Sequence, residues 1–384
     1  MTKKILIISS EHTGHGHKSI TEALSEKIRA YRHAEIHVVD GFSLGGRALE
    51  KIGKAYGPIT RRAESVWNVI WNLSAMAPSI VDHLVEALIE ERFLALIKEL
   101  QPDIILSVHP NFVGSVLNIM EKKKLQIPFV ILIADLVNIY PLWVDKRADF
   151  IISPTMEAKQ LCLEKYGIPP SQIGVFGLPV RSRFYPKTGS KKTEPLPTAP
   201  LNCLVMGGGE GAGNMKKIAK NLLDHFDCNV RIVAGRNEKL KSNLELSLKK
   251  RYGDRVHIYG FTENIHQLML HSDLIFTRAS PNVMYEAVAS NTPLVITGAL
   301  PGQEADNPKF AENNHLGIIC RNPDDIKDSL SDLLVNDGER LRQIIQSQRT
   351  FSNQKAADDI LKFILNQEVA HYETEAEFRL LIEK

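Results

Sequence analysis

Short apolar runs alternate along this chain with longer stretches in which the apolar positions recur at helical spacing. Runs at 4–8, 35–39, 104–108, 129–133 and 150–152 are set apart by helical patterns at 21–29, in the region ending at 100, and at 113–120 and 156–165. Alternating strand and helix signals predict a parallel sheet, because two parallel strands need a crossover long enough to hold a helix. The rhythm stops at a polar, proline-rich passage, 187–200. It restarts with strand-like runs at 201–206, 230–234, 256–259, 274–277 and 294–297 and helices at 214–226, 265–270 and 283–290. Two doubly wound, Rossmann-like α/β domains are therefore predicted, at 1–186 and 201–355, with 187–200 as the linker. A charged helical tail, 356–384, is expected to pack back on the first domain.

The segment 42–77 departs from this rhythm. It sets Lys51, Lys54, Arg61 and Arg62 beside Trp67, Ile70, Trp71, Leu73 and Met76. Cations next to large amphipathic rings suit a membrane interface, which makes Trp67, Trp71, Arg61 and Arg62 candidate contacts for a lipid acceptor or a membrane surface. A long core helix with solvated cations on its outer face fits the same residues.

Composition narrows the classes. With 384 residues, 43% hydrophobic and 24% charged, the chain has material for two separate cores, and a formal net charge of +2 gives no general footprint for nucleic acid. Cys162, Cys203, Cys228 and Cys320 are dispersed and form no C-x-x-C pair, which points to a reducing compartment. Met1–Lys4 leads straight into the first strand run and no later stretch has the apolar length of a membrane span, so a cytoplasmic protein, peripheral on the inner face of the membrane, is expected.

The candidate chemistry lies in two loops. Met206-Gly207-Gly208-Gly209-Glu210-Gly211-Ala212-Gly213 follows the first strand run of the second half, and Ser9-Ser10-Glu11-His12-Thr13-Gly14-His15-Gly16-His17-Lys18 follows the first run of the chain. Backbone without Cβ atoms, opening into a helix, can close amide N–H groups on a phosphate. Two such loops suit two domains facing one cleft, with a nucleoside diphosphate as the ligand.

Thr13-Gly14-His15-Gly16-His17-Lys18, Pro102-Asp103-Ile104-Ile105-Leu106-Ser107-Val108-His109-Pro110, Ala134-Asp135-Leu136 with Pro141 and Trp143, Gly177-Leu178-Pro179-Val180-Arg181, the Met206–Gly211 loop and Pro301-Gly302-Gln303-Glu304 stand in one order along the chain. In that order they resemble the motifs of glycosyltransferase family 28, in particular the monogalactosyldiacylglycerol synthases and the processive diacylglycerol glucosyltransferases. The resemblance implies a GT-B architecture and an inverting transfer of a hexose from a UDP-sugar, as substrate, to diacylglycerol or a related lipid. It implies neither a metal nor a further cofactor.

The resemblance also assigns residues. His17 would be the general base, with Asp135 as the second candidate or its orienting partner. Gly16, Gly207, Gly208, Gly209, Gly211, Ser280, Asn282, Glu286, Gln303 and Glu304 would bind the donor, Glu286 through the ribose hydroxyls. Two departures stand out. Ser280-Pro281-Asn282-Val283 replaces a glycine-rich turn ending in threonine, and Tyr140 replaces a histidine. These motivate an alternative, a UDP-sugar-binding protein with weak or no transfer; a UDP-sugar epimerase with a soluble substrate is another, and would need further carboxylates in the cleft. A dinucleotide oxidoreductase has only Asp40 in its favour.

Overall fold

The computed structural model of the chain describes residues 2–11, 16–187, 200–207 and 214–366, apart from the side chains of Arg61, Arg62 and Glu64. Gly208, Gly209, Gly211, most of the 187–200 linker and the tail beyond 366 lie outside the described residues.

Contacts divide the chain into two compact units, Met1–Arg181 with the segment from Lys355 onward, and Ser182–Gln354. In the first unit, β1 (Lys3–Ser9), β2 (Ala34–Asp40), β3 (Ile104–Ser107), β4 (Phe129–Leu132), β5 (Phe150–Ser153) and β6 (Ile173–Val175) form one parallel sheet in the order β2-β1-β3-β4-β5-β6. Ile5 pairs with Ile36 on one side and Ile104 on the other. Ile5, Leu6, Ile7 and Ile8 are all buried, as expected of a central strand covered by helices on both faces. Sequence order reverses between β1 and β3. The connections leaving these strands therefore diverge and open a crevice beyond their carboxyl ends.

The helix Ala356–Leu365 completes this unit. Phe363 packs its ring against Phe150 and Phe176, with centroids 4.3 and 5.3 Å away, the Lys3 ammonium donates to the Leu365 carbonyl at 2.7 Å, and Tyr31 donates to Asp358 at 2.7 Å.

Between β2 and β3 run the helices Gly46–Arg62, Glu64–Met76 and Pro78–Leu100. Ala63 and Ala77 break them with non-helical backbone, and Pro78 opens the third, where its missing N–H costs nothing. Val85, Ile89, Phe93 and Ile97, spaced by four, bury the inner face of that third helix. The second presents its apolar side chains outward, Leu73 being 62% and Met76 82% exposed. The core-helix reading of 42–77 fails on this exposure for 64–76, whereas Phe42, Leu44 and Leu49 before it are buried.

In the second unit, β7 (Leu201–Met206), β8 (Cys228–Val233), β9 (Val256–Tyr259), β10 (Leu274–Arg278), β11 (Leu294–Gly298) and β12 (Gly317–Ile319) make a parallel sheet ordered β12-β11-β10-β7-β8-β9. Here the order reverses between β7 and β10. Cys203, Val205, Val230, Ile232 and Phe276 anchor a core closed by Leu330, Leu333, Leu341 and Ile344. Phe184 is buried against His266, with ring centroids 6.0 Å apart, so the stretch after Arg181 packs on this unit.

Candidate active site

His17 opens the helix Gly16–Ile28, directly past the β1 connection. Its Nδ1 lies 2.5 Å from the Val108 carbonyl oxygen. A carbonyl only accepts, so Nδ1 carries the proton and Nε2 keeps its lone pair. Val108 is itself held to β1, donating its N–H to the Ile8 carbonyl at 2.9 Å. The pairing of β1 with β3 thus fixes the orientation of the imidazole.

His109, at the end of β3, places its ring centroid 4.6 Å from that of His17. Its Nδ1 accepts from the Asn111 N–H at 3.3 Å, and Phe42 and Phe112 pack on the ring, each 5.2 Å away. Desolvation pushes the His17 pKa down to about 4 against the raising effect of the Val108 bond; burial, and then the charge of His17, hold His109 well below 6.5. Both imidazoles are neutral near pH 7.

Asp135 is buried past the end of β4, and its Oδ2 accepts from Trp143 Nε1 at 2.6 Å. The Trp143 ring lies 6.1 Å from His17. Asp135 starts no helix, so a helix-capping role does not apply to it. His17, half-buried, and the buried Asp135 therefore belong to one cluster, joined through Trp143 and flanked by His109.

Tyr140 donates a short hydrogen bond to Ser74 Oγ and packs its ring 4.2 Å from Trp71. Trp71 continues to Trp67 at 6.1 Å and Trp67 to Tyr56 at 5.1 Å. An aromatic ladder thus links the outward helix Glu64–Met76 to the loop that carries Trp143. Burial raises the Tyr140 pKa above 10, so the phenol stays protonated and acts as a spacer and donor. Trp67 and Trp71 are partly buried in this ladder; the fully outward positions are Leu73 and Met76.

In the second unit, Gly207 follows β7 and Ser280 follows β10, at the carboxyl ends of the two strands where the order reverses. Ser280 has extended backbone and caps the helix Pro281–Ala289 without a side-chain hydrogen bond, which leaves the first turn open toward an anion. Asn282 lies in that turn, and Glu286 is buried one turn on. Asn307, which the sequence does not single out, stiffens the approach by donating to the Ala279 carbonyl at 2.9 Å. Glu304 accepts from the Leu300 N–H at 2.7 Å and lies 3.8 Å from the Arg278 guanidinium, so its carboxylate closes its own loop. Gln303 precedes it, its N–H bonded to the Pro301 carbonyl at 3.1 Å. Asp40, the one residue favouring a dinucleotide, instead accepts the Phe42 N–H as a helix cap. Among the described residues no group of three His, Cys, Asp or Glu side chains could hold a metal ion.

Comparison with known proteins gives the family and the fold. A family model described as monogalactosyldiacylglycerol (MGDG) synthase matches residues 17–180, and one described as glycosyl transferases group 1 matches residues 210–351. The chain is 29% identical over 387 residues to a probable monogalactosyldiacylglycerol synthase 2, chloroplastic, from Oryza sativa subsp. japonica, covering 94% of this chain and 80% of the relative. It is 30% identical over 352 residues to monogalactosyldiacylglycerol synthase 1, chloroplastic, from Arabidopsis thaliana, covering 86% and 64%. Among solved structures, MurG of Acinetobacter baumannii superposes with a TM-score of 0.64 at 15% identity, over 95% of this chain and 100% of that one. A UDP-GlcNAc 2-epimerase from Neisseria meningitidis does so with a TM-score of 0.61 at 13% identity, over 95% and 100%. At these identities the structural likeness is one of fold, that of the GT-B enzymes.

Proposed function

The chain belongs to the monogalactosyldiacylglycerol synthase family of glycosyltransferases, and from that premise we propose that it transfers galactose from UDP-galactose to diacylglycerol with inversion at the anomeric carbon. One observation carries the reading: a neutral His17, locked by its Nδ1–H so that Nε2 is free to take a proton, in one cluster with Trp143 and the buried Asp135. In a single displacement the acceptor hydroxyl oxygen attacks the anomeric carbon. Nε2 takes the hydroxyl proton, and the bond from the sugar to the UDP oxygen breaks. The Asp135 carboxylate favours the imidazolium as it forms. The charge arriving on UDP is met by the open helix terminus at Ser280 and Asn282 and by backbone beyond Gly207. Glu286 takes the ribose hydroxyls, with Gln303 toward the sugar.

The acceptor side of the proposal rests on the outward apolar positions of the helix Glu64–Met76. Val66, Val69, Ile70, Leu73 and Met76 are all exposed, in a chain where no helix among the described residues is long and apolar enough to cross a membrane. Such a face fits the interfacial boundary of a bilayer. Burying a Leu or Met side chain is worth about 1.5–3 kcal/mol. The double variant Leu73→Asp, Met76→Asp is therefore expected to weaken binding to diacylglycerol-containing vesicles by about tenfold or more, with UDP affinity unchanged. Vesicle sedimentation beside UDP titration checks this, and unchanged vesicle binding removes the helix from the membrane contact. The anomeric coupling constant of the glycolipid product tests the stereochemistry: a product retaining the donor's configuration rules out the single displacement.

A further inference from the structure

The helix Glu64–Met76 is bounded by two single-residue breaks, Ala63 with φ −141° and ψ 54° and Ala77 with φ −138° and ψ 59°. Ala63 gives it no side-chain cap. Isolated non-helical residues at element ends are where a backbone absorbs a change of direction without unwinding its neighbours. The outer face of this helix is the exposed apolar row from Val66 to Met76, and on its inner side Trp67 meets Tyr56 while Trp71 meets Tyr140. A polar contact joins this aromatic packing in the last turn, the hydrogen bond from the Tyr140 phenol to Ser74 Oγ.

The direction of that bond is fixed. Ser74 spends its one hydroxyl proton inside its own helix, donating to the Ile70 carbonyl at 2.5 Å, so it offers Tyr140 only lone pairs and the phenol has to donate. Tyr140 is held equally firmly on its other side. Tyr166 donates to the Ile139 carbonyl at 2.7 Å, and the Tyr140 carbonyl accepts the Trp143 N–H at 2.9 Å, which closes the 3₁₀ turn Pro141–Trp143. Leu142 and Trp143 are buried, and the Trp143 indole donates to Asp135 at 2.6 Å. A continuous run of hydrogen bonds and one tight turn therefore leads from Ser74 to the carboxylate beside His17. The breaks at Ala63 and Ala77 leave the helix able to tilt, and this run makes the tilt felt at Trp143.

We propose that the Tyr140–Ser74 hydrogen bond joins the outward apolar helix to the catalytic cluster, which makes Tyr140 and Ser74 positioning residues for transfer to an acceptor held in a bilayer. Insertion of the outer face fixes the helix against the lipid, and the joint passes that placement to the turn that carries Trp143, hence to Asp135 and His17. An acceptor dispersed in water gains nothing from it. The proposal rests on the reading of the chain as a lipid galactosyltransferase and adds to it the residues through which the membrane acts on the site.

Tyr140→Phe and Ser74→Ala each remove one hydroxyl while keeping the ring stack and the helix, and the full chain, both single variants and the double variant are compared. Transfer from UDP-galactose is measured to long-chain diacylglycerol in phosphatidylcholine vesicles and to a short-chain diacylglycerol dispersed in solution. On vesicles kcat is expected to fall about fivefold in each single variant, with vesicle binding within about twofold of the unaltered protein. The double variant should lose no more than a single one, because both substitutions remove the same bond. With the dispersed acceptor all four proteins should agree within about twofold. Equal losses on both acceptors would mark a merely structural effect and overturn the proposal, as would losses that multiply in the double variant or unchanged rates on vesicles. Hydrogen exchange at the Trp143 amide gives a readout that needs no turnover: vesicle binding should slow it by about threefold or more in the unaltered protein and leave it unchanged in both single variants. The same slowing in the variants, or none in the unaltered protein, overturns the joint. Absent transfer by the unaltered protein with the expected exchange pattern overturns the enzymatic reading and leaves the joint standing, whereas transfer that ignores both substitutions overturns the joint alone.

Discussion

His17→Ala is expected to reduce transfer by about 10²–10⁴-fold while leaving UDP affinity within about twofold of the unaltered protein. The imidazole is tethered through Nδ1 to the Val108 carbonyl, which leaves Nε2 with its lone pair, so removing it takes away the proton acceptor, while the residues proposed to hold UDP belong to the second unit. Single-turnover kinetics beside a UDP titration separate the two effects. An equal loss of UDP affinity would make His17 a donor-binding residue. The same side chain sets a pH expectation. Its pKa is lowered from 6.5 to about 4, so the base stays neutral, and the rate on this account holds, until the pH falls toward 4. Stability moves with the same sign: below pH 6.5 the unfolded chain takes up a proton that folded His17 refuses, so this residue disfavours folding progressively between pH 6.5 and 4.

Glu286→Ala is expected to do the reverse, weakening UDP binding by about 1–3 kcal/mol, roughly five- to 150-fold in Kd, with a smaller effect on the rate at saturating donor. A carboxylate that holds two ribose hydroxyls contributes in both the ground and the transition state, so its loss appears mainly in binding. Because Glu286 is buried, Glu286→Gln serves as the volume-conserving control and should lose less. Calorimetric titration with UDP reads both variants. An unchanged Kd in the alanine variant removes Glu286 from the donor site.

The alternation of short apolar runs with helical patterns located the central strands of both sheets, because strands buried on both faces must be apolar throughout. It missed β6, Ile173–Val175, and β12, Gly317–Ile319, at the sheet edges. Three residues with a glycine among them carry almost no periodic signal, and their place comes from pairing with β5 and β11. Composition marked 42–77 as unusual but left its outward direction open, since exposure depends on where the neighbouring helix Pro78–Leu100 lies. His17 and Asp135 were legible through loop position and family motif. His109 and Trp143 stood inside the same motifs, but their part in the cluster is a tertiary fact: His109 meets His17 only because β3 pairs with β1. One signal pointed there, since a polar residue at the carboxyl end of a strand beside the order reversal faces the crevice.

Release of UDP from UDP-galactose by the purified chain, measured with vesicles that contain or lack diacylglycerol, tests the central claim most directly. Diacylglycerol-dependent release that disappears in His17→Ala is the predicted result. Tight UDP binding with no release under either condition would contradict it and make the chain a sugar-nucleotide-binding protein; release indifferent to diacylglycerol would contradict it by pointing to a soluble acceptor or to hydrolysis.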